Sequence, residues 1–226
     1  MLCSHSKRFL YFKTKKTAGT SVEIYFEPHC LPPGSWQPEH ARRETVSAHG
    51  IIGSRMEGRR GTDIWFNHMP AAQVRERITP ALFDAYFKFC VIRNPFDKMV
   101  SRFWWHLRHT EAERKLLLQA PFTAVKTRFR DFLLTGTGRF ADDRDVYSID
   151  GLPVMDRFIR YERLHEDLQA VCGHLGVDYA PERLGNYKSG FNTRSEPFSA
   201  YYDAQSRERM ETEFDWEIAR FGYGLE

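Results

Sequence analysis

Short, dense apolar runs alternate along this chain with stretches whose apolar residues recur every three or four positions. Arg8-Phe9-Leu10-Tyr11-Phe12-Lys13 is a run of the first kind, as expected of a buried strand. It stops at Thr14-Lys15-Lys16-Thr17-Ala18-Gly19-Thr20-Ser21, after which Val22, Ile24, Tyr25 and Phe26 resume an apolar pattern, so the segment parses as strand, small-residue turn and helix. Thr20-x-x-Glu23 has the spacing of a capping box. The strongest run, Tyr86 to Ile92, meets Arg93-Asn94-Pro95 directly. Asn94 as N-cap and Pro95 in the first turn predict a helix with Phe96, Met99, Val100, Phe103, Trp104 and Leu107 along one stripe. Asp156 to Tyr161 predicts a third strand, followed by a helix from Leu164 to Leu175 that stops at Gly176.

The remaining segments are less regular. Pro28 to Gly61 is rich in Pro, Gly, Arg and Glu and reads as an irregular excursion of the kind that often covers a site. Asp63-Ile64-Trp65-Phe66 suggests another short strand, and Pro70 to Ile78 a helix opened by proline. Residues 111–135 look helical, Thr135 to Gly151 looks like a loop, and Tyr201 to Phe221 has the spacing of a last amphipathic helix. Strands alternating with helices imply an α/β fold. The expectation is a three-layer, mainly parallel sheet with helices on both faces and a ligand outside the carboxyl ends of the strands. The 226 residues suit one domain, 1–226, with irregular insertions around 28–62 and 135–151.

Composition narrows the function classes. Hydrophobic residues at 42%, charged residues at 28% and a mean hydropathy of −0.55 fit a soluble globular chain. A net charge of +3 from 33 basic and 30 acidic residues leaves any attraction to polyanions local, which disfavours a generic nucleic-acid binder. Cys3, Cys30, Cys90 and Cys172 lie far apart and form no CxxC pair, so neither a zinc site nor a disulfide scaffold is expected. The N-terminal stretch is too short and too charged for a signal peptide or anchor, and the chain reads as cytoplasmic; a soluble piece of an anchored enzyme would read the same way.

The candidate chemistry begins at the first turn. Between a strand and a helix, small residues let backbone N–H groups curl around an anion, the helix N-terminus adds its positive end, and lysine and hydroxyls supply further donors. Lys15, Lys16, Thr17, Ala18, Gly19, Thr20 and Ser21 are thus a candidate phosphate cradle, with a polar helix-capping turn as the alternative. It is not a Walker A sequence, because its lysines come first, and no apolar run ends in the aspartate of a Walker B site.

Lys16-Thr17-Ala18-Gly19-Thr20-Ser21 after a strand resembles the Lys-Thr-Gly-Gly-Thr-Ser loop of the sulfotransferases that use 3′-phosphoadenosine 5′-phosphosulfate (PAPS), where it holds the 5′-phosphosulfate. Val91-Ile92-Arg93-Asn94-Pro95 through Ser101 is similar to the family's 3′-phosphate element, with Arg93 and Ser101 in the binding positions. Phe158-Ile159-Arg160-Tyr161-Glu162-Arg163-Leu164 looks like the family strand ending in Tyr-Glu-x-Leu, whose tyrosine lies near the adenine. Asn192-x-x-Ser195 through Phe221-Gly222-Tyr223 is similar to the C-terminal part of the branch that includes carbohydrate sulfotransferases. The resemblance implies a sheet of the P-loop nucleotide-binding type and PAPS as co-substrate without a metal. It also implies a hydroxyl-bearing acceptor, most naturally a glycan. Two departures bear on the loop: Ala18 replaces a glycine, which requires a negative φ there, and Lys15 stands where the family often has proline.

In the carbohydrate branch a histidine after the second strand takes the acceptor proton, and His68 in Phe66-Asn67-His68-Met69-Pro70 stands in the matching place. His49 and Glu23 are the other candidate bases, and Lys16 is the residue for the bridging oxygen of PAPS. A nucleotide or small-molecule kinase and a non-catalytic PAPS- or polyanion-binding module remain as alternatives. Trp36, Trp65, Trp104 and Trp105 are candidates for stacking on an acceptor, although core packing accounts for most of them. Arg42, Arg43, Arg55, Arg59 and Arg60 either line a groove for an acidic glycan or are solvated.

Overall fold

A computed structural model describes residues 1–56, 63–135, 140, 142–187 and 190–225. They fall into two compact units, residues 1–92 with 143–187 and residues 93–142 with 188–226.

The first unit is α/β. Its sheet has six strands in the order β3-β4-β1-β2-β5-β8: β1 Leu2–Ser4, β2 Phe9–Phe12, β3 Thr45–Ser47, β4 Gly50–Ile52, β5 Phe87–Ile92 and β8 Arg157–Arg160. A separate hairpin pairs β6 Ser148–Ile149 with β7 Leu152–Pro153. The three strands legible as apolar runs are the parallel ones, Tyr11 lying opposite Phe89 and Val91 opposite Ile159. On the other side of β2 the sheet turns antiparallel through β1, β4 and β3, so the whole is mixed.

Both faces of β2 are covered, which is why it reads as a continuous apolar run rather than as an alternation. Phe9, Tyr11, Phe89, Val91 and Ile159 share a core with Val22, Tyr25 and Phe26 of the helix Gly19–Phe26 and with Leu168, Val171, Cys172 and Leu175 of the helix Leu164–Leu175. Phe12, one residue out of phase with Tyr11, meets Phe83 of the helix Pro80–Ala85 edge to face at 6.1 Å. The helix Leu164–Leu175 ends at Gly176 in the left-handed region, φ 58°, as its glycine predicts.

Three expectations are corrected here. The excursion from 28 to 61 is not wholly irregular: β3 and β4 lie within it and extend the sheet. Their turn depends on Gly50, where a Cβ would stand 2.1 Å from the Cys3 carbonyl oxygen. Asp63–Phe66 forms no strand and contributes a single parallel bridge, Phe66 to Ser54. The segment from 135 to 151 is not all loop, since it holds the short helix Arg144–Tyr147 and opens the β6–β7 hairpin. Cys3, Cys30, Cys90 and Cys172 are buried and form no disulfide. Arg59 and Arg60 lie outside the described residues.

The second unit is helical: Pro95–His106, Glu111–Gln119, Phe122–Leu134, Ala204–Glu213 and Asp215–Phe221. Asn94 caps the first of these by accepting from Phe96 N at 3.0 Å, and Phe96, Met99, Val100, Phe103, Trp104 and Leu107 are all buried. The single helical stretch expected over 111–135 is broken at Ala120-Pro121, because proline has no N–H to continue the ladder. Arg194 donates to the carbonyls of Leu117, Leu118 and Ala120, filling the acceptors that the break leaves open. The last amphipathic stretch is likewise two helices, interrupted at Phe214. Among the described residues no helix is long and apolar enough to cross a membrane.

Candidate functional site

Strand β2 delivers the chain into the turn that leads to the helix Gly19–Phe26. Lys16 and Ala18 both adopt left-handed backbone, φ 61° and 56°, on either side of Thr17. The negative φ expected at Ala18 is therefore overturned: the loop keeps the conformation a glycine would favour and bears about 1–2 kcal/mol of strain for each residue with a Cβ. Gly19 is required for a different reason. A Cβ there would stand 2.8 Å from Lys13 Cγ and 3.1 Å from the Thr14 carbonyl.

Internal bonds hold the turn in this shape. Thr14 Oγ1 donates to the Val91 carbonyl on β5 and lies 2.7 Å from Thr17 Oγ1, which is also 3.2 Å from the Thr14 carbonyl. The Thr17 hydroxyl is buried and its proton is used within the loop, so Thr17 offers an anion its amide and not its side chain. Lys15 is also diverted. Its amide donates to both carboxylate oxygens of Asp143, at 3.1 and 3.0 Å, and its ammonium lies 3.8 Å from the same group. Lys16, also partly exposed, follows Lys15 in the turn. Ser21 Oγ accepts from Tyr187 N at 3.3 Å.

Beside the turn opens a cavity of about 640 Å³. Ala18 and Ser21 line one side, Tyr161 to Glu166 another, and Leu184, Gly185 and Asn186 a third. Tyr161 opens the short 3-10 turn after β8 and packs against the core beneath. Residues separated by about 140 positions in sequence thus face one cleft, of a size that suits a nucleotide.

His68 lies close to the same turn. Its backbone is left-handed, φ 58°, and its Nδ1 is 3.0 Å from the Lys13 carbonyl. A carbonyl only accepts, so Nδ1 carries the proton and the neutral ring presents an unprotonated Nε2. Burial pushes the imidazole down to about 4; Asp143 opposes this, and Lys13 and Lys15 reinforce it. The ring is consequently neutral at neutral pH. Lys13, itself buried, donates from Nζ to Glu23 Oε2 at 2.7 Å and to Asn67 Oδ1 at 3.3 Å, and so fixes both the residue before His68 and, through its carbonyl, His68 itself.

Glu23 is not a helix cap. Ala18 occupies the N-cap position without a side-chain bond, while Glu23 is fully buried among cations. Burial alone would raise its carboxyl, but Lys13, the Met1 amino group and Arg55 outweigh that and hold it at about 2. Arg55 Nη1 reaches Glu23 at 2.8 Å and also bonds Glu27, and Arg42 lies 3.7 Å from Glu27. Arg42 and Arg55 are thus buried ion-pair partners and line no groove. His49 sits in the β3–β4 turn, where its carbonyl accepts from His5 N at 3.0 Å. Trp65 and Trp104 are buried.

A protein of Archaeoglobus fulgidus, described as an uncharacterized protein, is 28% identical to this chain over 123 residues. The match spans 51% of this chain and 87% of that protein. No family model matches the chain, and no solved structure matches it.

Arg93 and Ser101 belong to the helical unit. The Arg93 guanidinium is largely buried and donates from Nε to Asp97 at 2.8 Å, one helical turn on, and Ser101 follows Asp97 by a further four residues on the same face of the helix Pro95–His106. Sequence reasoning missed Asp143, Lys13 and Asn67. Asp143 stands in a polar stretch with no periodicity, and Lys13 reads as the charged end of a strand, so nothing local marked either one.

Proposed function

We propose that this protein is a sulfotransferase that moves a sulfuryl group from PAPS to an acceptor hydroxyl, with a glycan as the acceptor class. The observation that carries the reading is the shared cleft. The turn that resembles the family's phosphosulfate loop and the tyrosine that resembles its adenine neighbour line one cavity, with Ala18 and Ser21 on one wall and Tyr161 on another. The parallel β2, β5 and β8, with the turn at the carboxyl end of β2, support a sheet of the P-loop nucleotide-binding type.

In this reading the amides from Lys16 to Thr20 and the N-terminus of the helix Gly19–Phe26 hold the phosphosulfate. The cavity takes the nucleoside; the assignment of Arg93 and Ser101 to the 3′-phosphate rests on the sequence resemblance. His68 Nε2 accepts the acceptor proton as the acceptor oxygen bonds to sulfur. The bond from sulfur to the bridging phosphate oxygen breaks, and Lys16 stabilises the charge left on 3′-phosphoadenosine 5′-phosphate (PAP). No metal takes part in these steps. The neutral ring with its proton held on Nδ1 supports the base assignment, and the ion-paired Glu23 disfavours the carboxylate alternative.

The test is transfer of labelled sulfate from PAPS into polysaccharides, glycolipids and phenols, together with PAP calorimetry with and without magnesium. Transfer into a glycan with metal-independent PAP binding is expected. PAP binding without transfer to any acceptor points to a binding module, and magnesium-dependent ATP turnover points to a kinase.

A further inference from the structure

A buried carboxylate beside an anion-binding turn opposes the turn's own chemistry, since like charges repel and a desolvated acid needs partners. Asp143 is such a group. Its side chain is 1% exposed, and it accepts from the backbone amide of Lys15, the residue before the left-handed Lys16. Helical bonding holds it in place, as its carbonyl accepts from Val146 N at 2.8 Å and the next turn is pinned by Tyr147, buried edge to face against Phe158 at 5.7 Å. The segment that carries Asp143 is thus a rigid fixture, and the turn from Lys15 to Ala18 is the strained partner.

We propose that Asp143 is a positioning residue for the anion turn: its carboxylate clamps the Lys15 amide, holds Lys16 and Ala18 in their left-handed conformations, and draws the Lys15 ammonium away from the anion so that Lys16 serves it. This rests on the reading of the turn as the donor site. The Lys15 N–H, shared by the two oxygens, fixes the peptide between Thr14 and Lys15, while Thr14, bonded to the Val91 carbonyl and to Thr17, ties the turn to β5. The strain is therefore borne before any ligand arrives, which is what a preorganised cradle requires.

Two variants separate the clamp from the charge. Asp143→Asn keeps an acceptor oxygen for the Lys15 amide and loses the negative charge, whereas Asp143→Ala loses both. With both variants melting near the parent, PAP affinity by calorimetry is expected to fall at least tenfold in Asp143→Ala and to return to within about threefold of the parent in Asp143→Asn. An equal loss in both, or none in Asp143→Ala, overturns the proposal. Hydrogen exchange at the Lys15 amide reads the clamp without any ligand: at least tenfold acceleration in Asp143→Ala but not in Asp143→Asn is expected, while exchange at Phe89 and Val91 stays unchanged. If the parent binds no PAP, the sulfotransferase reading fails, and exchange alone decides the clamp; an unchanged Lys15 rate in Asp143→Ala then overturns it. If neither variant folds, PAP affinity is read in Lys15→Pro, which lacks the N–H that the carboxylate accepts. The clamp requires that this variant acquire the PAP defect expected of Asp143→Ala, and parental affinity overturns it.

Discussion

Replacing Glu23 by glutamine tests whether the floor beneath the turn is held by charge. The carboxylate is fully buried and neutralises Lys13 and Arg55, whose side chains are 5% and 0% exposed. Glutamine keeps the shape and one acceptor oxygen but takes the carboxylate from Lys13, the Met1 amino group and Arg55, of which Arg55 also bonds Glu27, and removing one partner of a buried ion pair costs about 3–5 kcal/mol. The displacement of the Glu23 carboxyl from 4.5 to about 2 leads to a similar figure, about 3 kcal/mol at 1.36 kcal/mol per pH unit. The sign follows from a depressed folded-state value. The stabilisation is complete above pH 4.5 and is lost as pH falls toward 2, because the unfolded carboxyl binds its proton first. Urea unfolding of parent and Glu23→Gln at pH 7 should differ by about 3 kcal/mol, and the gap should narrow progressively below pH 4.5. A difference under about 0.5 kcal/mol at pH 7, or a gap that does not change with pH, refutes the reasoning. Either result would mean that Lys13 and Arg55 find other compensation.

Among the remaining predictions, His68→Ala should lower kcat by about 10²–10⁴ while leaving PAP affinity nearly intact, because the imidazole meets only the acceptor proton; a well-folded variant with parental turnover places the base elsewhere. In the parent, the acid limb of kcat/KM against pH should fall near pH 4 rather than near 6.5, since the ring gains its proton only as pH drops through its lowered value. Arg93→Ala should weaken PAP binding by about 1.5–3 kcal/mol and Ser101→Ala by about 0.5–1.5 kcal/mol, both read by calorimetry. Gly19→Ala should destabilise the first unit and slow any transfer, because its methyl group would meet the Thr14 carbonyl at 3.1 Å; an unchanged melting temperature would show that the turn can shift.

The parts of the fold legible in the sequence are those where burial is two-sided. β2 stands as an uninterrupted apolar run because it is covered from both faces, and β5 nearly so, with Lys88 as its one charge. β1, β3 and β4 were not legible: each has three residues, and Thr45-Val46-Ser47 carries polar groups at both ends, so their pairing comes from the neighbouring strand rather than from local pattern. The candidate site divides in the same way. Lys16, Gly19 and His68 were found by type and place. Asp143, Lys13 and Asn67 act through contacts spanning 10 to 128 residues, which no local spacing encodes. The buried arginines were misjudged for a related reason: Arg42 and Arg55 read as solvated charge until Glu23 and Glu27 are seen beneath them.

Lys13 connects the ion-paired floor to the candidate base. Its ammonium lies between Glu23 and Asn67, and its carbonyl receives the Nδ1 proton of His68, so one residue joins the buried charge cluster to the imidazole. Within the proposed mechanism this arrangement favours His68 over Glu23 as the base. A carboxylate held at about 2 by its cations is too weak a base to compete for a hydroxyl proton, and protonating it would strand those cations in the core. An imidazole with its proton fixed on Nδ1 has a free lone pair on Nε2 at neutral pH, and on accepting a proton it finds Asp143 near enough to favour the charged form. In the proposed mechanism the cluster around Glu23 holds Lys13, whose carbonyl orients the base His68.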